Sequence, residues 1–183
     1  TYKLNSSTKI VKLSGAISIP SGRTVTIDLN GCILQGGTFE TMITVNGTLN
    51  IIDSSDRTYQ HKGKLNGFGL WYPDANGILK GGTICPTYTN VSTQRSGILI
   101  SGKCNIEYAN LVGFYKTTVG PAVTATSSGK FTMKGGQISY NYCNPASTET
   151  RGGAVYGEPA NSNNPDGSLI DISNTLLSNN KSE

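Results

Sequence analysis

Short runs of alternating apolar and polar residues, punctuated by glycine, occupy this chain from end to end. Val25-Thr26-Ile27-Asp28-Leu29 is typical. Val25, Ile27 and Leu29 fall on one face of an extended strand, with Thr24, Thr26 and Asp28 on the outward face. No stretch sustains apolar spacing at three and four residues. The pattern therefore predicts an all-β chain with almost no helix.

The runs also repeat. Gly77-Ile78-Leu79-Lys80-Gly81-Gly82-Thr83-Ile84, the segment from Cys104 to Leu111, and that from Phe131 to Ile138 share one pattern. Leu79, Ile106 and Met133 are evenly spaced, and Ile84, Leu111 and Ile138 keep the same interval. Ile172 and Leu177 repeat the pattern after a longer gap, with the polar run Glu158 to Asp166 as a surface loop inside that longer unit. Upstream, Leu49-Asn50-Ile51 reads as another copy, closed by Leu65-Asn66-Gly67-Phe68, with Asp53 to Gly63 as a polar loop between them. The interval falls within the range of roughly 20–50 residues that marks repeat architectures. Built from strands and turns, it predicts a β solenoid of about six or seven coils. Stacked strands lie roughly 4.8 Å apart. Leu79, Ile106, Met133 and Ile172 then form one interior column, and Ile84, Leu111, Ile138 and Leu177 another.

Composition narrows the class. The chain has 183 residues, enough for a single domain with a sizeable core. It opens without the features of a signal peptide and shows no polar caps at either end. Residues 1–183 are accordingly read as one domain excised from a longer chain. Charged residues are 14%, below the usual share of about a quarter, which suits an extracellular, turn-rich β protein. The net charge of +4 comes from scattered basic residues with no nucleic-acid motif, so nucleic acid is not an expected partner. No apolar run approaches the roughly 18 residues of a membrane span.

The four cysteines are Cys32, Cys85, Cys104 and Cys143, none in a Cys-x-x-Cys pair. No metal and no cofactor is expected. Cys104 takes an interior place matched by Phe131 and Ile170, which predicts a buried thiol. Cys85 and Cys143 follow the same closing strand, and a disulfide between them is left open.

Ile19-Pro20-Ser21-Gly22-Arg23-Thr24-Val25-Thr26-Ile27-Asp28-Leu29-Asn30-Gly31 resembles a phrase common in bacterial surface proteins of the right-handed parallel β-helix class. Gly152-Gly153-Ala154-Val155-Tyr156, followed by Leu177-Ser178-Asn179-Asn180, resembles the paired motifs of polymorphic outer-membrane and adhesin-like proteins. Those families often open the second motif with Phe, where this chain has Leu177. The resemblance implies a right-handed parallel β-helix of the pectate-lyase-like fold, secreted or attached to the cell wall. Its implied partner is a polysaccharide, or a glycan or protein of a host surface. The fold alone does not choose a function, because it carries lyases, hydrolases, tailspikes and adhesins.

Enzymatic action on a polyuronate needs converging carboxylates, or a calcium site with a base. The acids here are dispersed: Asp28, Glu107 and Asp171 all point outward, on different coils. Asp53 and Asp56 share a loop with Arg57 and His61, the sole histidine; a solvated polar loop is the plainer reading. Lys80, Glu107 and Lys134 recur at the repeat interval and are read as an outward ion ladder. Matches to the glycosylation sequon, such as Asn46-Gly47-Thr48, are read as chance in a chain rich in Asn, Ser and Thr.

Aromatic residues carry the binding hypothesis. Trp71 and Tyr72 precede Pro73 in an irregular segment, Tyr59 lies in a loop near His61, and Tyr88 follows Cys85-Pro86. Flat rings stack on sugars and polar neighbours fix orientation. The alternative for Trp71 is that it seals the core under a loop. Tyr140 and Tyr142, flanking Asn141, are expected on one face. The sequence thus favours a non-catalytic, adhesin-like or carbohydrate-contacting module that presents loops on a rigid scaffold. A polysaccharide lyase or hydrolase, and a structural spacer, are the alternatives.

Overall fold

The computed structural model describes residues 1–65, 70–73, 77–87, 94–118, 120–144 and 153–182. Within them the chain is all-β, without a helix, and no helix is long and apolar enough to cross a membrane. Three long sheets carry the architecture, and every pairing within them is parallel. The first sheet has six strands, in the order Tyr2–Lys3, Thr24–Asp28, Thr48–Ile52, Lys103–Ile106, Lys130–Met133 and Leu169–Ile172. The second also has six, from Ile10–Lys12 to Thr175–Ser178, and the third has five, from Ile17–Ile19 to Val155–Gly157. The chain visits first, second and third sheet in that order, round after round. This arrangement is compatible with a β-helix solenoid.

Register shows how the sequence repeat becomes a core. In the first sheet Ile27, Ile51, Ile106, Met133 and Ile172 align rung on rung. Val11, Leu34, Ile84, Leu111, Ile138 and Leu177 align in the second. Ile17, Ile43, Ile98, Val123 and Val155 align in the third. The middle rungs of these columns are sealed from solvent and pack as one cluster with Phe114 and Phe131. Period-2 alternation aims one face of each strand inward, and in-register stacking joins those faces into a single core.

One expected column member is displaced. Leu79 does not stack on Ile106; that place belongs to Ile51. Leu79 lies on Gly77–Lys80, which pairs antiparallel with Gln60–Leu65 and sets Leu79 opposite His61. The strand Trp71–Pro73 joins on the other edge, making a three-stranded antiparallel sheet inserted within the third round. The unit closing after Leu49-Asn50-Ile51 is therefore Thr83–Cys85, aligned with Leu34 and Leu111 through Ile84. Leu65 ends an insertion strand instead, and Asn66, Gly67 and Phe68 lie outside the described residues. The Asp53 to Gly63 segment is a loop only up to Tyr59, where Gln60–Leu65 begins.

The same displacement breaks the ion ladder. Lys80 pairs with Gln60, and neither Glu107 nor Lys134 takes part in the ion pairs Lys3–Asp28 and Arg57–Asp53. Glu107 and Lys134 do sit one residue beyond the aligned pair Ile106 and Met133, but both side chains extend into solvent.

The insertion covers the outer side of the second sheet and makes a second core there. Trp71 and Leu79 pack on Ile33, Cys85 and Val112, with Ile10 and Tyr140 at the margin. Strands Ile33–Gln35, Thr83–Cys85 and Ala109–Val112 are consequently buried on both sides. All four cysteines are buried and unpaired, so Cys85 and Cys143 form no disulfide. Burial raises the thiols, that of Cys104 to about 12. Cys104 aligns with Leu49 and Phe131, and Phe131 with Ile170, as its interior place required.

Candidate functional site

The insertion is anchored by a carboxylate. Asp53 follows the first-sheet strand Thr48–Ile52, at the corner where the chain leaves for the insertion. Its side chain is fully sealed from solvent. Oδ1 accepts from the backbone N–H of Gly31 at 2.8 Å and from the Ser55 hydroxyl at 2.7 Å. Oδ2 accepts from the N–H of Gly82 at 2.7 Å, with Arg57 Nε at 4.0 Å. One residue thereby ties the corner of the preceding round to the point where the chain re-enters the second sheet. Gly81 beside it has φ of +79°, a conformation that glycine adopts without steric cost. Asp53 is thus a buried brace, not part of a solvated loop.

Asp28 keeps its outward place between the core residues Ile27 and Leu29, yet it is buried. It accepts from Ser54 N–H and Oγ and from Asn30 N–H, with Lys3 at 3.8 Å. Burial pushes its carboxyl up, but the Ser54 and Asn30 hydrogen bonds outweigh that and hold it below its ordinary value.

Two clefts flank the insertion. Tyr59 and His61 define the first, with Thr8, Ile33, Gln60 and Lys62, enclosing about 370 Å³. Tyr59 is exposed and meets His61 edge-on, ring centroids 5.1 Å apart. His61 is 3% exposed, and its Nε2 has no hydrogen-bond partner. Burial lowers the imidazole pKa. The Gly31 and Gly81 carbonyls and Asp53 draw it the other way, but neither carbonyl meets Nε2 in hydrogen-bond geometry.

Trp71 is 4% exposed and faces neither cleft. Its indole lies against the backbone of Gly63, where any Cβ would stand 2.2 Å from the ring. It fills the side-chain place that Gly63 leaves empty, so it packs the second core. Tyr72 is half-buried in the same strand, opposite Lys64 in register. Tyr88 lies outside the described residues. Of the five aromatic and histidine candidates, the structure brings Tyr59 and His61 together.

The second cleft, of about 410 Å³, lies on the other side of the insertion. Tyr108, Tyr140, Asn110, Gln137, Lys80 and Leu176 line it. Tyr108 is half-buried across the corner glycines of the neighbouring rounds: a Cβ on Gly81 would lie 2.9 Å from its ring, and one on Gly135 3.3 Å. Arg57 stacks over the Tyr108 ring at 4.1 Å from the centroid, which links this wall to the Asp53 brace. Asn110 is held by its Nδ2, which donates to the Lys80 carbonyl at 2.8 Å and to Thr83 Oγ1 at 3.1 Å. Its Oδ1 accepts no hydrogen bond among the described residues, and the Gln137 amide, Lys80 ammonium and Tyr140 hydroxyl are likewise unengaged.

Tyr140 has φ of 57°, unusual for a bulky residue. Asn141, next to it, is buried and fully used: Oδ1 accepts from Phe114 N–H, and Nδ2 donates to the Leu111 carbonyl and to Asn180 Oδ1. This side-chain lock holds the corner in place. The turn also separates two residues that simple alternation places together. Tyr140 packs at the margin of the second core, while Tyr142 is buried with Leu70 and Tyr115.

The second cleft was missed because its residues belong to different repeats. The available signal was Asn110 and Gln137, one repeat apart on outward positions and aligned in register. No protein-family model, no curated protein and no solved structure matches this chain.

Proposed function

We propose that this chain is a right-handed parallel β-helix module of an extracellular bacterial surface protein, and that it contacts carbohydrate without catalysing its breakdown. The three parallel sheets, visited in constant order, support the architecture. One observation carries the function: the second cleft combines two tyrosines with an unengaged amide, carbonyl oxygen and ammonium. Aromatic rings present flat apolar surface to the C–H face of a sugar, and amides and ammonium groups meet its hydroxyls. Such sites commonly fall within roughly 300–1,000 Å³, as this cleft does. The adhesin-like resemblance of Gly152 to Tyr156 and Leu177 to Asn180 agrees with a surface role.

A glycan-array screen with calorimetry on the hits tests this reading. Gln137→Ala and Tyr140→Ala are each expected to weaken the bound glycan by about tenfold, near 1.4 kcal/mol, without shifting the thermal midpoint by more than a few degrees. Release of unsaturated uronate from a polysaccharide would replace the binding role with a lyase. Wild-type affinity in both variants would remove the cleft from the reading.

A further inference from the structure

We propose that the first cleft, beneath Tyr59, is a subsite for an anionic substituent of a sugar unit, a carboxylate or a sulfate ester, held by Lys9 and Lys62. The inference rests on the carbohydrate reading but concerns a different cleft on the opposite side of the insertion.

Lys9 lies between the lining residues Thr8 and Ile10. Its backbone sits at φ 57°, fixed by its N–H donating to the Ser6 carbonyl and its own carbonyl accepting from Ile33. Its ammonium stands 5.8 Å from the centre of the Tyr59 ring. Lys62 lines the cleft itself, and neither ammonium forms an ion pair among the described residues. The nearby carboxylates are engaged elsewhere. Asp53 is sealed behind His61 by the Gly31, Ser55 and Gly82 hydrogen bonds and by Arg57. Asp56 feels the Lys9 charge but accepts from the Thr58 N–H and hydroxyl. The residues named above for this cleft supply an aromatic wall, hydroxyl and amide groups and a cation, and none is acidic.

His61 makes the cleft pH-sensitive and gives it a reporter. Burial lowers the imidazole pKa and so favours the neutral ring, and Nε2 is unpartnered. An anion beside the ring favours the protonated form, so binding raises the depressed imidazole pKa. By linkage the anion binds more tightly as pH falls through the histidine range. The chain has one histidine, so its ring resonance reports this cleft alone.

The test is a ring-proton NMR titration of the whole chain with four probes: a hexuronate oligosaccharide, a sulfated disaccharide, a neutral hexose oligosaccharide and inorganic sulfate. A charged sugar is expected to move the His61 resonance, raise its titration midpoint and bind several-fold tighter at about pH 5.5 than at about pH 7.5. Lys9→Gln combined with Lys62→Gln is expected to weaken that probe by about tenfold or more. Response to the hexuronate alone assigns a carboxylate; response to the sulfated disaccharide alone assigns a sulfate ester. Inorganic sulfate binding as tightly as the sulfated sugar overturns the sugar-bound assignment. A His61 resonance unmoved by both charged sugars overturns the proposal, even where a neutral glycan still binds the Tyr140 cleft. A His61 response with no glycan sensitive to Tyr140→Ala overturns the cleft reading of the preceding section instead.

Discussion

Asp53→Ala is expected to be among the most damaging single substitutions in this chain, costing about 3–5 kcal/mol. The figure follows from what the carboxylate holds. Removing it leaves the buried N–H groups of Gly31 and Gly82 without acceptors and strips Arg57 of its counter-charge. An orphaned buried donor costs about 1–3 kcal/mol. A domain has only about 5–15 kcal/mol to lose. Urea denaturation followed by far-ultraviolet circular dichroism measures the effect as a fall in midpoint. Asp53→Asn is expected to retain part of the stability, because an amide oxygen can serve one side while its NH₂ opposes the N–H on the other. Asp56→Ala, in the same loop but exposed, is expected to leave the midpoint where it was. Equal losses from Asp53→Ala and Asp56→Ala would show that the brace is unimportant.

The second large effect is expected at Phe131→Ala, about 3–5 kcal/mol. Phe131 is fully buried, with Cys104 on one neighbouring rung and Ile170 on the other. The backbone rungs are fixed by their ladders, so the space cannot close by a slide of one strand past the next. Phe131→Leu keeps much of the volume and is expected to cost less than about 1.5 kcal/mol. Thiol chemistry supplies an independent readout: Cys104, sealed in the wild type, should react with Ellman's reagent under native conditions in Phe131→Ala before global unfolding. A denaturation midpoint unchanged by Phe131→Ala would contradict a core continuous along the rungs.

The columns were legible in the sequence because two periods coincide there. Alternation within a strand chooses the inward face, and recurrence at a constant interval aligns Ile84, Leu111 and Ile138, as the register confirms. The insertion was illegible for a physical reason. The sealed positions of Gln60–Leu65 include His61 and Gly63, neither of which signals a buried strand. Trp71 supplies the missing volume at Gly63 from another strand. Leu79 then matched the repeat only by coincidence of spacing, and carried Lys80 into a ladder that does not exist. The burial of Asp53, and of the outward-pointing Asp28, was illegible because an acid reads as exposed unless its donors are known. Those donors are backbone groups at Asn30, Ser54, Gly31 and Gly82, brought near by the rounds themselves. Candidate binding groups were half legible. Tyr59 and His61 are neighbours in sequence as in space, whereas Tyr108 and Tyr140 come to line one cleft only across rungs.

The double burial of the second sheet carries a consequence for rearranging this chain. Where the insertion rests, the outer wall carries Ile33, Cys85 and Val112 beside Gln35, Thr83 and Asn110; one rung further on, the register offers Gln137 and Ser139 with no apolar residue beside them on that strand's outer face. The two parts are matched to one another at that address. Excising the antiparallel strands would uncover Ile33, Cys85 and Val112 on three adjoining rungs, the kind of patch through which shortened proteins adhere to one another. Grafting the same strands elsewhere along the wall would set Trp71 down on amides and hydroxyls, where it would have nothing to grip.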